Sequence, residues 1–329
     1  MSSSTVWTVF QAIMAAAKLL CGDGVCGIIK ESLLRNAHML RLLFTVFFLL
    51  TPVSGVLAAP VLVDGAVLEK QLADPKLVLV DMSEDDNQYL RFHLPGAVRL
   101  PYDVLVKQRK DKVPVRLDDA ELARVLGRLG IARDSRVVIY DDMGGLNAAR
   151  LFWELERLDH AEVSVLDGGL VRWILDGRKV ANNAPRRVPV VYQLPTRGRS
   201  SEATLADVRA AVQNRTLLLD VRSEEEYAGE AKKPRTGHVP GARLWPWDMA
   251  VDFERGFVQR DAAALKKSLA QAGADPNVPV IAYCRSGHRA ARAYLMLRSL
   301  GYDNVKVYAN SMNEYAAVRD APLKQGKQP

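Results

Sequence analysis

The sequence predicts an α/β fold laid down twice in one chain, each copy a mainly parallel sheet flanked by helices. Three observations predict it. Apolar runs of strand length alternate with stretches of helical periodicity. The apolar runs are continuous rather than alternating, as in strands buried on both faces of a parallel sheet. The same order of short motifs returns after roughly 140 residues, far longer than a solenoid repeat. A length of 329 residues suits about two domains, and 49% hydrophobic with 25% charged residues is the balance of a globular chain. The net charge is +7 with a pI near 9.3, yet no Lys/Arg block or basic-aromatic interleaving is present, so nucleic acid is not an expected partner.

Residues 1–58 stand apart. No charge occurs between Leu42 and Val63. The run from Leu42 to Leu50 has the length and character of the apolar core of an export signal. Met39-Leu40-Arg41 supplies a compact basic start, and Val56-Leu57-Ala58 before Ala59 has a small-residue cleavage pattern. This predicts Met39 as the true start, residues 1–38 being either upstream of the protein or an unusually long leader. The mature chain would begin near Ala59, in the periplasm or outside the cell, with no stable membrane association once the signal is cleaved. A membrane anchor is the alternative, but Pro52, Ser54 and Gly55 interrupt the span of about 20 apolar residues that crossing requires. Val6, Phe10, Ile13 and Ala17 form a weak amphipathic stripe with no function attached. Cys21 and Cys26 read as incidental rather than as a metal pair.

A first domain is expected over residues 61–180. Residues 77–81 read as a buried strand ending on Asp81, followed by a polar helical stretch and a turn at His93-Leu94-Pro95-Gly96-Ala97. Residues 117–129 place Leu122, Val125, Leu126 and Leu129 on one helical face. A strand over 137–141 ends on Asp141. A Gly-containing loop leads to a helix over 148–158 with Leu151, Leu155 and Leu158 in register. A strand over 163–166 then reaches Asp167-Gly168-Gly169, and Trp173 anchors a short closing helix. Residues 181–203, with Pro185, Pro189, Pro195 and many arginines, read as a linker. A second domain follows over 204–325. Leu217-Leu218-Leu219-Asp220 matches the strand ending at Asp81, and His238-Val239-Pro240-Gly241-Ala242 matches the turn at His93. Ile281-Ala282-Tyr283-Cys284 matches the strand ending at Asp141, Ala291-Arg292 matches Ala149-Arg150, and residues 305–308 match 163–166.

The chemistry concentrates in residues 280–292, VIAYCRSGHRAAR. An apolar strand ends on Cys284, and a helical pattern with Ala291, Tyr294, Leu295 and Leu300 on one face begins after Arg289. Gly301 stops that helix. A helix N-terminus offers unpaired N–H groups and a partial positive charge, which favour a thiolate and can hold an anion. Arg285 and Arg289 add charge, and Gly287 lets the loop curl with its amides inward. The stretch predicts a nucleophilic cysteine beside an anion pocket. Without the N-terminal extension Cys284 is the single cysteine, so neither an internal disulfide nor a cysteine-based metal site is available. The first half has Asp141 and Asp142 at the same place, which predicts a structural first half and a catalytic second half, with the pocket at the C-terminal strand edge.

At this point the chain resembles the tandem-domain rhodanese family of sulfurtransferases, over nearly all of residues 61–325. The residues that carry the resemblance are Asp220-Val221-Arg222, Gly237 through Ala242, the loop from Cys284 to Arg289, and Asp167-Gly168-Gly169 with Trp173. The resemblance implies two rhodanese-like domains and a Cys284 that takes a sulfane sulfur as a persulfide and passes it to cyanide or a thiol. It implies that Arg222 helps hold a small anionic donor, and that the loop of Arg285, Ser286, Gly287, His288 and Arg289 cradles the persulfide, with no metal or organic cofactor. The C-x4-R loop is one residue shorter than that of the related cysteine phosphatases and arsenate reductases, which fits sulfur better than a phosphate-sized oxyanion. Ser286 stands where thiosulfate-specific members carry Lys, and Arg285-Ser286-Gly287 where mercaptopyruvate members show Gly-Ser-Gly. Thiosulfate is the expected donor and 3-mercaptopyruvate the runner-up, in a monomer. A non-enzymatic persulfide carrier or binding module is the rival reading. His288 is open to two readings, an acid/base beside the thiolate or a solvent-facing loop residue. His238 and Asp220 read as structural, and Trp245 and Trp247 as core or domain interface.

Overall fold

The computed structural model describes residues 59–110 and 113–329. The expected signal segment, the amphipathic stripe and Cys21 and Cys26 lie outside the described residues. In chain order the first half runs β1 (Leu62–Val63), α1 (Gly65–Glu69), β2 (Leu77–Asp81), α2 (Asp86–Arg91), β3 (Val98–Arg99), a 3-10 turn (Tyr102–Leu105), β4 (Val106–Gln108) and β5 (Pro114–Arg116). It continues through α3 (Asp119–Arg128), β6 (Arg136–Tyr140), α4 (Ala148–Arg157), β7 (Glu162–Leu166) and α5 (Gly169–Leu175). The second half runs α6 (Leu205–Ala210), β8 (Leu217–Asp220), α7 (Glu224–Ala228), β9 (Arg243–Leu244), a 3-10 turn (Trp247–Ala250), β10 (Val251–Asp252) and β11 (Val258–Gln259). Then come α8 (Ala262–Gln271), β12 (Val280–Tyr283), α9 (His288–Ser299), β13 (Val305–Val307) and α10 (Ser311–Tyr315).

The two larger sheets are parallel throughout, and β4-β5 and β10-β11 form two antiparallel ribbons. The larger sheet of the first half has the order β1-β7-β6-β2-β3 and that of the second half β13-β12-β8-β9. The bridge of Glu202 to Val307 puts a fifth chain segment beside β13, where β1 lies beside β7 in the first half. Every residue of β2 and β12 is buried, which accounts for their unbroken apolar runs, since crossover helices cover both faces of a parallel sheet. Helix starts follow from local side chains. Asp118 with Glu121, Thr204 with Asp207 and Ser223 with Glu226 each form a reciprocal capping box. The short pieces β3, β4, β5, β9, β10 and β11 carry too few residues to show a period.

The duplication holds at the level of single hydrogen bonds. His93 and His238 each use Nδ1 to donate to a tyrosine carbonyl, Tyr89 at 2.6 Å and Tyr227 at 2.8 Å, and each ring stacks on that tyrosine. Tyr140 and Tyr283 each accept from the backbone of that histidine's turn, at Leu94 and Val239. His238 is thus placed as a structural residue. The linker is less free than its composition suggests. Val190 N–H donates to Gly127 O at 2.9 Å and Arg199 N–H to Arg157 O at 2.9 Å, while Tyr192 is buried against His160 and Arg133. Gly127 permits this close approach, because a Cβ there would stand 2.3 Å from Val190 O. The segment is a strap laid along the first half.

Residues from Ala58 onward form one compact unit. Inside it α4 packs on α9, with Phe152 and Tyr294 ring centroids 6.4 Å apart. Tyr294 donates to Glu156 at 2.6 Å, and Gln259 N–H to Asp167 Oδ1 at 2.7 Å. Trp173 and Trp245 are core residues. No helix among the described residues is long and apolar enough to cross a membrane.

Candidate active site

Cys284 follows directly on β12 and is 1% exposed. Its backbone is held from the far side by α10. Cys284 N–H donates to Ser311 Oγ at 3.0 Å, Ser311 Oγ donates to Tyr308 O at 2.6 Å, and Met312 N–H donates to Cys284 O at 3.1 Å. Asn313 N–H takes Arg285 O at 2.9 Å. Ser311 adopts φ 49°, the left-handed region that usually takes glycine, and Gly169 holds the same place in the first half at φ 51°. The two hydrogen bonds of its hydroxyl offset that strain. Gly287, at φ 82°, turns the chain into α9 as its left-handed cap.

Between these anchors lie the amides of the loop. The N–H groups of Arg285, Ser286, Gly287, His288, Arg289 and Ala290 have no acceptor among the described residues. The first half shows what such a loop holds. There the Asp141 carboxylate accepts from Met143 at 3.0 Å and Gly145 at 2.8 Å through Oδ1, and from Asn147 at 2.8 Å and Ala148 at 2.9 Å through Oδ2. The first-half loop, one residue longer from its strand end to the matched Ala149-Arg150 pair, therefore closes on an anion supplied by its own side chain. Burial pushes the Asp141 carboxyl up, and these amide bonds pull against that shift. The Asp141 carboxylate thus occupies the place an anion would take, in keeping with a structural first half.

Comparison with known proteins decides the family. The rhodanese-like domain model matches residues 65–176 and again 204–318. The chain belongs to the rhodanese-like family. A Mycobacterium bovis protein provisionally named a thiosulfate sulfurtransferase is 34% identical over 278 residues, covering 81% of this chain and 98% of its own. A sulfur carrier protein of Thermus thermophilus is 31% identical over 285 residues, covering 82% of this chain and 98% of its own. Among solved structures, a 3-mercaptopyruvate sulfotransferase of Escherichia coli superposes with a TM-score of 0.66 at 25% identity, over 77% of this chain and 99% of that one.

In this rhodanese the expected donor-binding residues divide. Arg222 is 6% exposed and turned onto Asp220, with Nε donating to Oδ1 at 2.9 Å and Nη2 to Oδ2 at 2.6 Å; Nη2 also reaches Gly237 O at 2.9 Å. Nε and Nη2 of Arg222 are thus engaged by Asp220 and Gly237 O, and Nη1 is the nitrogen left for a donor. Removing one partner of so buried a pair would strand the other. Arg289 is likewise paired with Glu226, at 2.5 Å and 2.9 Å, and Glu226 is the partner of Ser223 in the capping box of α7. Burial of Arg289 works against its charge, but the Glu226 bonds and the nearness of Cys284 outweigh it, so its pKa is raised. Arg285 is exposed and makes no side-chain hydrogen bond or ion pair with the described residues, so it is the loop cation open to a donor. Ser286 is half-buried beside it.

His288 does not face solvent. Its imidazole stacks on Tyr102 with centroids 4.0 Å apart, and Nε2 meets Asn147 Oδ1 at 2.8 Å. Burial, with Arg150 and Arg289 nearby, pushes its pKa down to about 3. The packing on Tyr102 and Asn147 rules against the solvent-facing reading of this residue. The first half supplies the rest of this wall. Arg150 is buried, bonded to Glu154 at 3.2 Å, and its charge acts on Tyr102 and His288. Arg292, its repeat counterpart, reaches the other way. Its Nε donates to Gly144 O at 2.7 Å, and burial lowers its pKa to about 10 against the pull of Asp167 and Asp141. Each half thus sends an arginine toward the other half's loop. Tyr102, Asn147, Arg150 and Ser311 were not among the expected site residues. The pairing of Arg150 with Arg292 across the repeat was the one available signal. No group of three or more His, Cys, Asp or Glu among the described residues could hold a metal ion.

Proposed function

We propose that this chain is a thiosulfate sulfurtransferase that carries the transferred sulfur as a persulfide on Cys284. The supporting observation is the pair of loops: the amides of the first are filled by the Asp141 carboxylate, while the second, one residue shorter, follows a buried cysteine and leaves its N–H groups without an acceptor among the described residues. In the first step the thiolate attacks the outer sulfur of thiosulfate, an S–S bond forms, and sulfite leaves with the electron pair of the bond that breaks. In the second, cyanide attacks the outer sulfur of the persulfide, thiocyanate departs, and the thiolate returns. A thiol acceptor would replace cyanide in the same displacement. The preorganised amides stabilise the anionic outer sulfur at no reorganisation cost. With Arg222 and Arg289 already paired, exposed Arg285 suits a small dianion such as thiosulfate. 3-Mercaptopyruvate is the second donor, in keeping with the Escherichia coli relative.

The test is the intact mass of the purified protein before and after thiosulfate. A gain of one sulfur, about 32 mass units, that is absent in Cys284→Ser is the expected result. No gain with thiosulfate or 3-mercaptopyruvate would sink the reading. Slow transfer to every small acceptor with fast transfer to one protein would instead support a carrier, as the Thermus thermophilus relative is named. Export to the periplasm or beyond rests on the apolar run from Leu42 to Leu50, and a starting mass matching a chain from about Ala59 would support it.

A further inference from the structure

We propose that the first-half loop is a positioning device for the catalytic loop: Asn147 and Tyr102 clamp the His288 imidazole and thereby set the first turn of α9 against Cys284. The proposal rests on the sulfur-transfer reading and adds a task for the half that lacks the nucleophile.

His288 is the first residue of α9, and its own N–H is one of the loop amides. Its ring is held in two directions by the other half, on the face by Tyr102 and on the edge by Asn147. Asn147 is itself fixed. It is 1% exposed, its Nδ2 donates to Met82 O at 3.0 Å, and its N–H donates to Asp141 Oδ2 at 2.8 Å. Because Nδ2 is engaged, Oδ1 is the acceptor, and His288 Nε2–H is the donor. An unbroken chain of hydrogen bonds then runs from the Asp141 carboxylate through Asn147 to the helix start that cradles the sulfur. The carboxylate that fills the first loop is what makes that loop rigid enough to grip.

The charges around the ring explain why a neutral imidazole serves here. Arg289 on its own helix is paired with Glu226, Arg150 on α4 with Glu154, and Cys284 and the Tyr102 phenol lie close. Burial raises the Tyr102 pKa, so the phenol is neutral too. A neutral donor ring fixes geometry without adding a third cation to a pocket that already holds two arginines.

The experiment compares Asn147→Ala, His288→Ala, the double variant and His288→Gln. Each alanine variant is expected to lower kcat for thiosulfate-to-cyanide transfer about tenfold with KM changed less than about twofold, the pattern of a lost positioning contact. The double variant should be no slower than either single, because both remove one contact. Gln places a donor where Nε2 sits, so His288→Gln should keep kcat within about threefold of wild type. A readout independent of turnover is the His288 Nε2–H proton in NMR: held on Asn147 Oδ1 it should exchange slowly with water in wild type and be lost to fast exchange in Asn147→Ala. Alanine variants within about twofold of wild-type kcat, or additive losses, would overturn the clamp. Failure of the wild type to load sulfur on Cys284 would overturn the function instead, and leaves the Nε2–H exchange to judge the clamp alone.

Discussion

Gly287→Ala is expected to cut turnover about a hundredfold while leaving Cys284 chemically untouched. Two costs coincide at this position. The backbone φ of 82° is the left-handed region, which costs an L-residue roughly 1–2 kcal/mol. A Cβ there would also stand 2.5 Å from Ala309 O and 2.9 Å from Ala309 Cα. Those are backbone atoms between β13 and α10, the elements that fix Cys284 from behind, so they cannot yield without moving the nucleophile. The loop must shift instead, and its amides leave the positions where the outer sulfur needs them. A displacement of about 1 Å in such a cradle is enough for a loss of this size. Steady-state kinetics with thiosulfate and cyanide, beside a thermal melt to confirm folding, would check it. Turnover within twofold of wild type would show that the cradle tolerates a different curl.

Asp141→Ala is expected to lower the thermal midpoint by about 10 °C, although the residue touches no substrate. The carboxylate satisfies the N–H groups of Met143, Gly145, Asn147 and Ala148 inside a buried loop. Leaving buried donors unpaired costs about 1–3 kcal/mol each, and water entering the loop would recover part of that, for a net loss of about 4 kcal/mol. Asp141→Asn keeps one oxygen acceptor and should lose less than half as much. Calorimetry of both variants would decide, and an alanine variant as stable as wild type would mean that the loop closes on itself by other contacts.

Much of this architecture was legible before any coordinate. Long buried strands such as β2, β6 and β12 announce themselves as apolar runs, and the repeat reveals both halves because identical local needs select identical residues. His93 and His238 illustrate this, for both sit in the same turn and donate to the same kind of carbonyl. The nucleophile was legible too, because a cysteine between a strand and a helix start is a chemical statement in itself. Charge was harder to read. Arg222 and Arg289 stand out as candidate donor ligands, but their pairing with Asp220 and Glu226 does not. Such pairing depends on side-chain direction in three dimensions, and Glu226 lies 63 positions from Arg289. The wall from the other half was equally hidden. Tyr102 and Asn147 belong to turns whose residues carry no period, and only packing of α4 on α9 brings them to His288.

The crossed arginines have a consequence for how the molecule comes apart. Arg150 and Arg292 lie on the paired helices; Arg292 bonds Gly144 O of the opposite half, and Arg150, bonded to Glu154, bears on His288 through its charge, while Phe152, Leu151 and Leu295 are fully buried. Neither half keeps a complete loop if its twin melts, since the grip of Gly144 O on Arg292 and of Asn147 on His288 is lost together. Two domains by ancestry would then be one unit by thermodynamics. Heating should give a single endotherm whose calorimetric and van't Hoff enthalpies agree, without a plateau in which one sheet survives alone.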